Sequence, residues 1–288
     1  MSSRLKLYDR VAEDAASIVI RSYSTSFSAA SRLLGVDVRQ HVENIYALVR
    51  VADEIVDGGA EEAGLDLLET SRQLNELERE TELAIEQGFS SNLIVHAFAL
   101  TAREVSFGAE LTAPFFESMR MDLSEKEHDQ ESFDRYVYGS AEVVGLMCLC
   151  AFLHGHEVSD EQRAKFVHGA RALGAAFQKV NFLRDLADDF ETLGRSYFPG
   201  VDVASFTEDE KLRLLDDLDA DLRDAAIGAE LPASSKKAVA LAHSLFAQLS
   251  KRIRATPASE LVKTRVRVPN VVKVRLAAVA AMGVTPRP

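Results

Sequence analysis

Apolar residues in this chain recur at helical spacing almost from end to end. No stretch alternates apolar and polar residues for long enough to build a half-buried strand. Val42, Ile45, Tyr46, Val49, Ala52 and Val56 fall three and four residues apart. That spacing predicts a helix from Val38 to Asp57, entered at Asp37 and stopped by Gly58-Gly59. The same reading predicts helices over Leu7–Arg21, Glu61–Glu86, Asn92–Val105, Pro114–Leu123 (its proline in the first turn), Phe133–Leu153, Ser159–Leu193 with Ser159 as N-cap, Glu208–Ala226, Ser234–Arg254 and Asn270–Met282. No fixed-period repeat or low-complexity linker divides them, so the expected fold is an all-α bundle forming one domain over residues 1–288.

Composition narrows the function classes. The net charge is -12 and the pI about 5.1, which argues against nucleic acid as a general partner, since phosphate needs cationic groups against it. Cys148 and Cys150 are the two cysteines, too few for a disulfide framework, and a reducing, cytoplasmic setting is expected. The start, Met1 to Lys6, has no apolar core behind it and predicts no secretory signal. The longest apolar run, Val143 to Leu153, is short of the roughly 20 residues that span a bilayer. Charge is uneven. Lys251, Arg252, Arg254, Lys263, Arg265, Arg267, Lys273 and Arg275 stand against a single acid, Glu260, whereas Glu208 to Asp224 is strongly acidic. Two solvated faces are one reading; contact of the basic stretch with an anionic substrate or anionic lipid is the other.

Chemistry enters with the carboxylates. Asp53/Asp57 and Asp185/Asp189 are spaced four apart, which puts each pair on one helix face, where like charges cost roughly 0.2–0.5 kcal/mol. With 20 Asp in the chain, about 1.4 such pairs are expected by chance, so spacing alone is weak evidence. A third pair, Asp217/Asp221, sits among Asp216, Asp219 and Asp224 and reads as a solvated face. The first two pairs lie in apolar surroundings, with Arg50 one turn before Asp53, and with Gln178, Asn181, Asp185 and Asp189 forming a polar stripe beside Arg184. A polar stripe on an apolar helix is costly to bury without partners. Either these are surface acid rows closed by internal bridges such as Arg50–Asp53, or they face each other across a bundle and hold Mg²⁺, with Arg50 and Arg184 neutralising phosphate.

Four stretches in order resemble the squalene/phytoene synthase family, most of all its bacterial phytoene synthases: Tyr23-Ser24-Thr25-Ser26-Phe27 with Ser31-Arg32-Leu33-Leu34; Tyr46 through Asp57; Tyr136-Val137-Tyr138-Gly139-Ser140-Ala141-Glu142-Val143-Val144-Gly145; and Gln178 through Asp185 and Asp189 to Gly194-Arg195-Ser196-Tyr197-Phe198-Pro199. The resemblance implies an isoprenoid-synthase helical bundle around a central cavity. There, two prenyl diphosphates are joined head to head through a cyclopropyl diphosphate. It implies Asp53, Asp57, Asp185 and Asp189 as the Mg²⁺–diphosphate aspartates, with Mn²⁺ an alternative ion. Arg50, Gln178, Asn181, Arg184 and Ser24 match diphosphate-binding positions, Tyr136 a cavity tyrosine, and Arg195 and Tyr197 a flap after the second row.

Phe27, Val143, Val144, Leu146, Met147, Phe177 and Phe182 are candidates to line the cavity or to pack the core. Glu142 stands where the family usually has glycine, and Lys179 where it usually has an apolar residue. Arg265-Val266-Arg267-Val268-Pro269 is similar to the basic end of bacterial phytoene synthases, without a tyrosine just upstream. No glycine-rich dinucleotide fingerprint is present, so NADPH is not expected. The expected reaction condenses two geranylgeranyl diphosphates through prephytoene diphosphate to phytoene. The alternatives are a farnesyl diphosphate enzyme making presqualene diphosphate, squalene or dehydrosqualene, and a non-catalytic helical scaffold. Peripheral membrane contact is expected from the oily substrates and product; the oligomeric state is not legible.

Overall fold

Side-chain caps set the starts of several helices. Asp66 and Thr207 each form a reciprocal capping box, with Glu69 and Glu210. Asn92 caps the helix that follows it. Ser159 accepts from the Gln162 N–H at 3.2 Å while Gln162 Oε1 accepts from the Ser159 N–H, as its predicted N-cap role requires. The computed structural model describes the backbone of residues 3–188 and 197–281, and their side chains except at 25, 26, 187, 188 and 227–229. The helices are α1 (Arg4–Tyr23), α2 (Thr25–Ser31), α3 (Val36–Val56), α4 (Gly59–Glu62), α5 (Leu67–Gln87), α6 (Leu93–Val105), α7 (Ala109–Ser124), α8 (Gln130–Val137), α9 (Val143–Leu153), α10 (Asp160–Asp188), α11 (Glu208–Asp224), α12 (Ala233–Ala255), α13 (Ala258–Leu261) and α14 (Asn270–Ala281). There is no strand among the described residues.

The structure departs from the sequence reading at several places. The predicted Glu61–Glu86 helix is broken: α4 ends at Glu62 and α5 starts at Leu67, capped by Asp66. α2 was not foreseen. α7 begins at Ala109, so Pro114 lies inside the helix rather than in its first turn. The predicted Phe133–Leu153 helix is α8 and α9 joined by a π turn, Tyr138–Glu142. The turn sits where Gly139 meets α7: a Cβ there would lie 2.1 Å from the Pro114 carbonyl oxygen. The Ser118 hydroxyl donates to the Tyr136 carbonyl oxygen at 3.1 Å, so α7 is tied to the chain just before the turn. Together Gln130–Leu153 is long and apolar enough to cross a membrane, but half of it is buried in this fold, where it packs against α3, α7 and α10. We therefore read it as a core helix.

The buried apolar residues form two main cores. One gathers Ile45, Leu48, Leu74, Phe98, Phe115 and Met147 from α3, α5, α6, α7 and α9. The other gathers Phe133, Phe182, Leu183, Leu215, Leu218 and Ile253 from α8 and α10–α12. The first acid row sits on α3, in the first core, and Asp185 sits on α10, in the second. Between them runs the π turn, held to α10 by glycines: a Cβ at Gly174 would lie 2.6 Å from the Ala141 carbonyl oxygen.

The acidic and basic stretches partly neutralise each other. Arg254 of α12 bonds Asp216 and Asp219 of α11, both at 2.8 Å. Asp217 and Asp221 are not a bare solvated face, because Lys179 of α10 donates to them at 2.6 and 2.7 Å. Burial opposes the Lys179 charge, but these bonds outweigh it and raise its pKa. Glu142 is likewise used within the fold, paired with Arg171 at 2.5 Å. Cys148 and Cys150 are half-buried free thiols; burial pushes the Cys148 thiol up to about 12, which leaves it inert.

Candidate active site

Asp53 projects from the last turns of α3, with Asp57 as the C-cap of that helix. The Asp53 carboxyl is pushed up to about 8, first by burial and then by the Asp57 charge; Arg50 opposes this, and Asp122 and Glu54 add to it. Yet 31% of its side chain stays open to solvent, so it is crowded by protein without being sealed off. Arg50 pairs mainly with Glu54, lies 3.8 Å from Asp53 and sits over the Tyr23 ring at 4.6 Å. Its Nε is buried with no hydrogen-bond partner, an orphaned donor.

On α10, Gln178, Asn181 and Asp185 are all half-buried along one stripe, as their spacing predicts. Asp185 is held by two arginines. Arg184 chelates it, with Nε to Oδ1 at 2.8 Å. Arg265 reaches it from the segment between α13 and α14, with Nε to Oδ1 at 2.8 Å and Nη2 to Oδ2 at 3.3 Å. Asp189 and Arg195 lie outside the described residues.

Two chains of aromatic rings lie here, and the first joins α3 to α10. In the first, Phe27 of α2 stands 5.7 Å from Tyr46 of α3 and 5.2 Å from Phe177 of α10, which in turn meets Phe246 of α12 at 4.7 Å. Ser24 sets this arrangement by capping α2 through the Phe27 N–H at 3.1 Å. The second chain contains Tyr136, Tyr197 and Phe182, with Phe182 stacked on Tyr197 at 4.0 Å. Both tyrosine hydroxyls donate to Asp122 of α7. The Tyr136 pKa lies well above the usual phenol range, through burial and the nearby charge of Asp122, so its ring stays neutral. Of the other candidate lining residues, Val143 and Met147 are buried in the first core, while Val144 and Leu146 are only half-buried.

Asp122 and Arg265 were not foreseen in these positions. Asp122 has no acid four residues away and stands beside Ser124-Glu125-Lys126-Glu127, which reads as a solvated helix end. Arg265 lies 80 residues from its partner. Among the described residues no three His, Cys, Asp or Glu side chains form a preformed metal cage. Mg²⁺ keeps waters and takes one or two carboxylates together with substrate phosphate. The donor set is right for that ion: oxygen ligands only, with the repulsion among Asp53, Asp57 and Asp122 left for a cation to relieve.

The squalene/phytoene synthase model matches residues 20–271. The chain is 27% identical over 246 residues to a 15-cis-phytoene synthase of Paracoccus sp., covering 80% of this chain and 78% of that protein. It is 32% identical over 197 residues to the 15-cis-phytoene synthase of Pantoea ananas, covering 66% and 59%, and 28% identical over 190 residues to a 4,4'-diapophytoene synthase of Staphylococcus haemolyticus, covering 65% and 62%. Its fold matches a crystallised dehydrosqualene synthase with a TM-score of 0.76 at 20% identity, covering 96% and 97% of the two chains. It matches squalene synthase HpnC of Alicyclobacillus acidocaldarius at 0.73 and 20%, covering 86% and 95%. The helical fold and a family match over most of the chain agree: this chain belongs to the squalene/phytoene synthase family of prenyltransferases.

Proposed function

We propose that the chain condenses two geranylgeranyl diphosphates head to head, by way of prephytoene diphosphate, to phytoene, in carotenoid biosynthesis. The observation that carries this reading is the run of aromatic rings that joins α3, with Asp53 beside Arg50, to α10, with Asp185 beside Arg184. Relatives named phytoene synthase favour the twenty-carbon substrate. Asp53, Asp57, Asp185 and Asp189 would hold Mg²⁺, which when bound supplies electrostatic stabilisation of the charge growing on the leaving diphosphate. Arg50, with its unpaired Nε, and Arg184 orient the diphosphate, with Gln178, Asn181, Ser24 and Arg195 as further anchors. Phe27, Tyr46, Phe177 and Phe182 keep water from the allylic cation, and the ring faces of Tyr136 and Tyr197 attract it.

Incubating the purified chain with Mg²⁺ and each prenyl diphosphate in turn tests this directly. Phytoene from the twenty-carbon substrate is the expected product, without NADPH and with no turnover in EDTA. Product from the fifteen-carbon substrate alone would overturn the chain-length assignment.

The reading also places the protein at a membrane surface on the cytoplasmic side. Lys251, Lys263, Arg267 and Arg275 are exposed, and α14 adds exposed Val271 and Val274. Basic side chains beside apolar ones suit an anionic lipid surface. Arg254 and Arg265, by contrast, are committed to aspartates within the fold. In flotation assays the protein is expected to rise with anionic vesicles at low salt and to be released at high salt. Salt-independent behaviour, or no binding at all, would count against it.

A further inference from the structure

Two tyrosine hydroxyls from separate parts of the chain converge on one carboxylate. Tyr136 Oη, at the end of α8, donates to both oxygens of Asp122, at 3.0 and 2.9 Å. Tyr197 Oη, from the segment between α10 and α11, donates to Oδ1 at 3.1 Å. Both rings are almost fully buried. Phe182 of α10 lies parallel to the Tyr197 ring, 10° between planes, and 5.9 Å from the Tyr136 ring. On another side the His128 ring lies near-parallel to Tyr197 at 5.9 Å and 5.2 Å from Tyr136. α7, α8, α10 and the segment after it therefore meet at one carboxylate, and that carboxylate is close enough to Asp53 for its charge to act there.

We infer that Asp122 is a positioning residue for the prenyl-transfer reaction, fixing the Tyr136 and Tyr197 rings as a single aromatic wall beside the first acid row. This rests on the prenyl-transfer reading above. A carbocation offers no hydrogen-bond donor, so the protein must meet it with π faces already in place. A phenol rotates about its side-chain torsions unless its hydroxyl is held. Bonds to an ionised acceptor are stronger and shorter than neutral ones, and they hold it well. Donating to a carboxylate also shifts electron density toward the phenol ring, which strengthens the attraction of its face for a cation. One acceptor shared by two rings makes their orientations interdependent. Ser118 of the same helix, bonded to the Tyr136 carbonyl, fixes the backbone beneath the first ring.

The test uses Asp122→Asn, which keeps the shape and removes the charge, in protein labelled with 3-fluorotyrosine. The chain has 6 tyrosines and no tryptophan, and Tyr136→Phe and Tyr197→Phe assign the two relevant fluorine resonances. In Asp122→Asn these two resonances should move while the other four stay. Turnover should fall about 100-fold, as expected for a misplaced reacting surface, with KM changed by less than roughly threefold and the Mg²⁺ concentration for half-maximal rate unchanged. Adding Tyr197→Phe to Asp122→Asn should cost little more, because both act on the same contact. Unmoved resonances or wild-type turnover would overturn the inference. So would a rise in KM or in the Mg²⁺ requirement that accounts for the loss, which would make Asp122 a substrate or metal ligand instead. If Asp122→Asn does not fold, Tyr136→Phe and Tyr197→Phe each remove one bond to the same carboxylate: loss of turnover at constant KM in both supports the role, and full turnover in both refutes it. Wild-type protein inert toward both prenyl diphosphates would sink the prenyl-transfer reading itself; active wild type with an unaltered variant would sink only Asp122.

Discussion

Replacing Asp53 by Asn is expected to stabilise the metal-free protein while removing most of its turnover. Burial and the charges of Asp57 and Asp122 hold the Asp53 carboxyl at about 8, far above the usual aspartate value of about 3.9. Between those values the folded chain binds this proton and the unfolded chain does not. Stability is therefore greatest at the acid end of that window and falls as pH rises through it, with the full penalty present above about 8. Solvent reaches 31% of the side chain, so the shift must be discounted for screening; about 1–3 kcal/mol is a fair expectation. Asn removes the charge, and the variant should melt about 2–12 °C above wild type at pH 8.5, with the gap closing toward pH 5. Added Mg²⁺ should stabilise wild type more at pH 8 than at pH 6, since binding displaces the proton, and should do little for the variant. Turnover should drop by about 10²–10³-fold, the scale for losing one electrostatic contact to a developing charge. In a scaffold, by contrast, Asp53 would act as a structural ion-pair partner of Arg50. The variant would then melt lower, and that result would reject an enzymatic origin for the acid row.

Much of the fold is legible in the sequence. The helix predicted over Val38–Asp57 is α3, Val36–Val56, because three- and four-residue spacing of apolar side chains is itself the face that packs. The stripe Gln178, Asn181, Asp185 is half-buried along α10 as its spacing requires. What stayed hidden depends on tertiary contact. α2 is only 7 residues long, too short to show a period, and it exists because Ser24 caps it and Phe27 anchors between α3 and α10. Pro114 reads as a helix start, yet five residues before it complete a turn, beginning after Gly108. Lys179 and Glu142 depart from the usual family residues. They find partners on neighbouring helices, Asp217 and Asp221 for the first and Arg171 for the second. Asp122 is the instructive omission: a lone acid has no spacing signal, and its meaning comes from two hydroxyls 14 and 75 residues away.

Gly139→Ala should be among the most damaging single-methyl changes in the chain, and it should strike activity through Tyr136. A Cβ at Gly139 would sit 2.1 Å from both the Pro114 carbonyl oxygen and Ser118 Oγ, and 2.9 Å from the Pro114 carbonyl carbon. The serine hydroxyl can turn away, but the proline carbonyl belongs to the backbone of a helix in the first core and can move only if α7 and the π turn separate. Overpacking usually costs about 1–3 kcal/mol, and a clash against backbone belongs at the top of that range or beyond it. A loss of about 3 kcal/mol corresponds to a melting point lowered by roughly 6–12 °C. Separation would also break the Ser118 bond to the Tyr136 carbonyl and carry the Tyr136 hydroxyl away from Asp122, two contacts made across the same helix pair. Turnover should fall about 100-fold even at temperatures where the variant is folded. Adding Ser118→Ala should restore only a fraction of the stability, because it removes one of the two obstructing atoms and leaves the other. Gly155→Ala is the control. It has a φ of +73° with nothing within 4 Å, so it should cost about 1–2 kcal/mol of left-handed strain and leave turnover intact. Equal melting losses in the two variants, with activity kept in both, would show that α7 and the π turn do not hold Tyr136 in place.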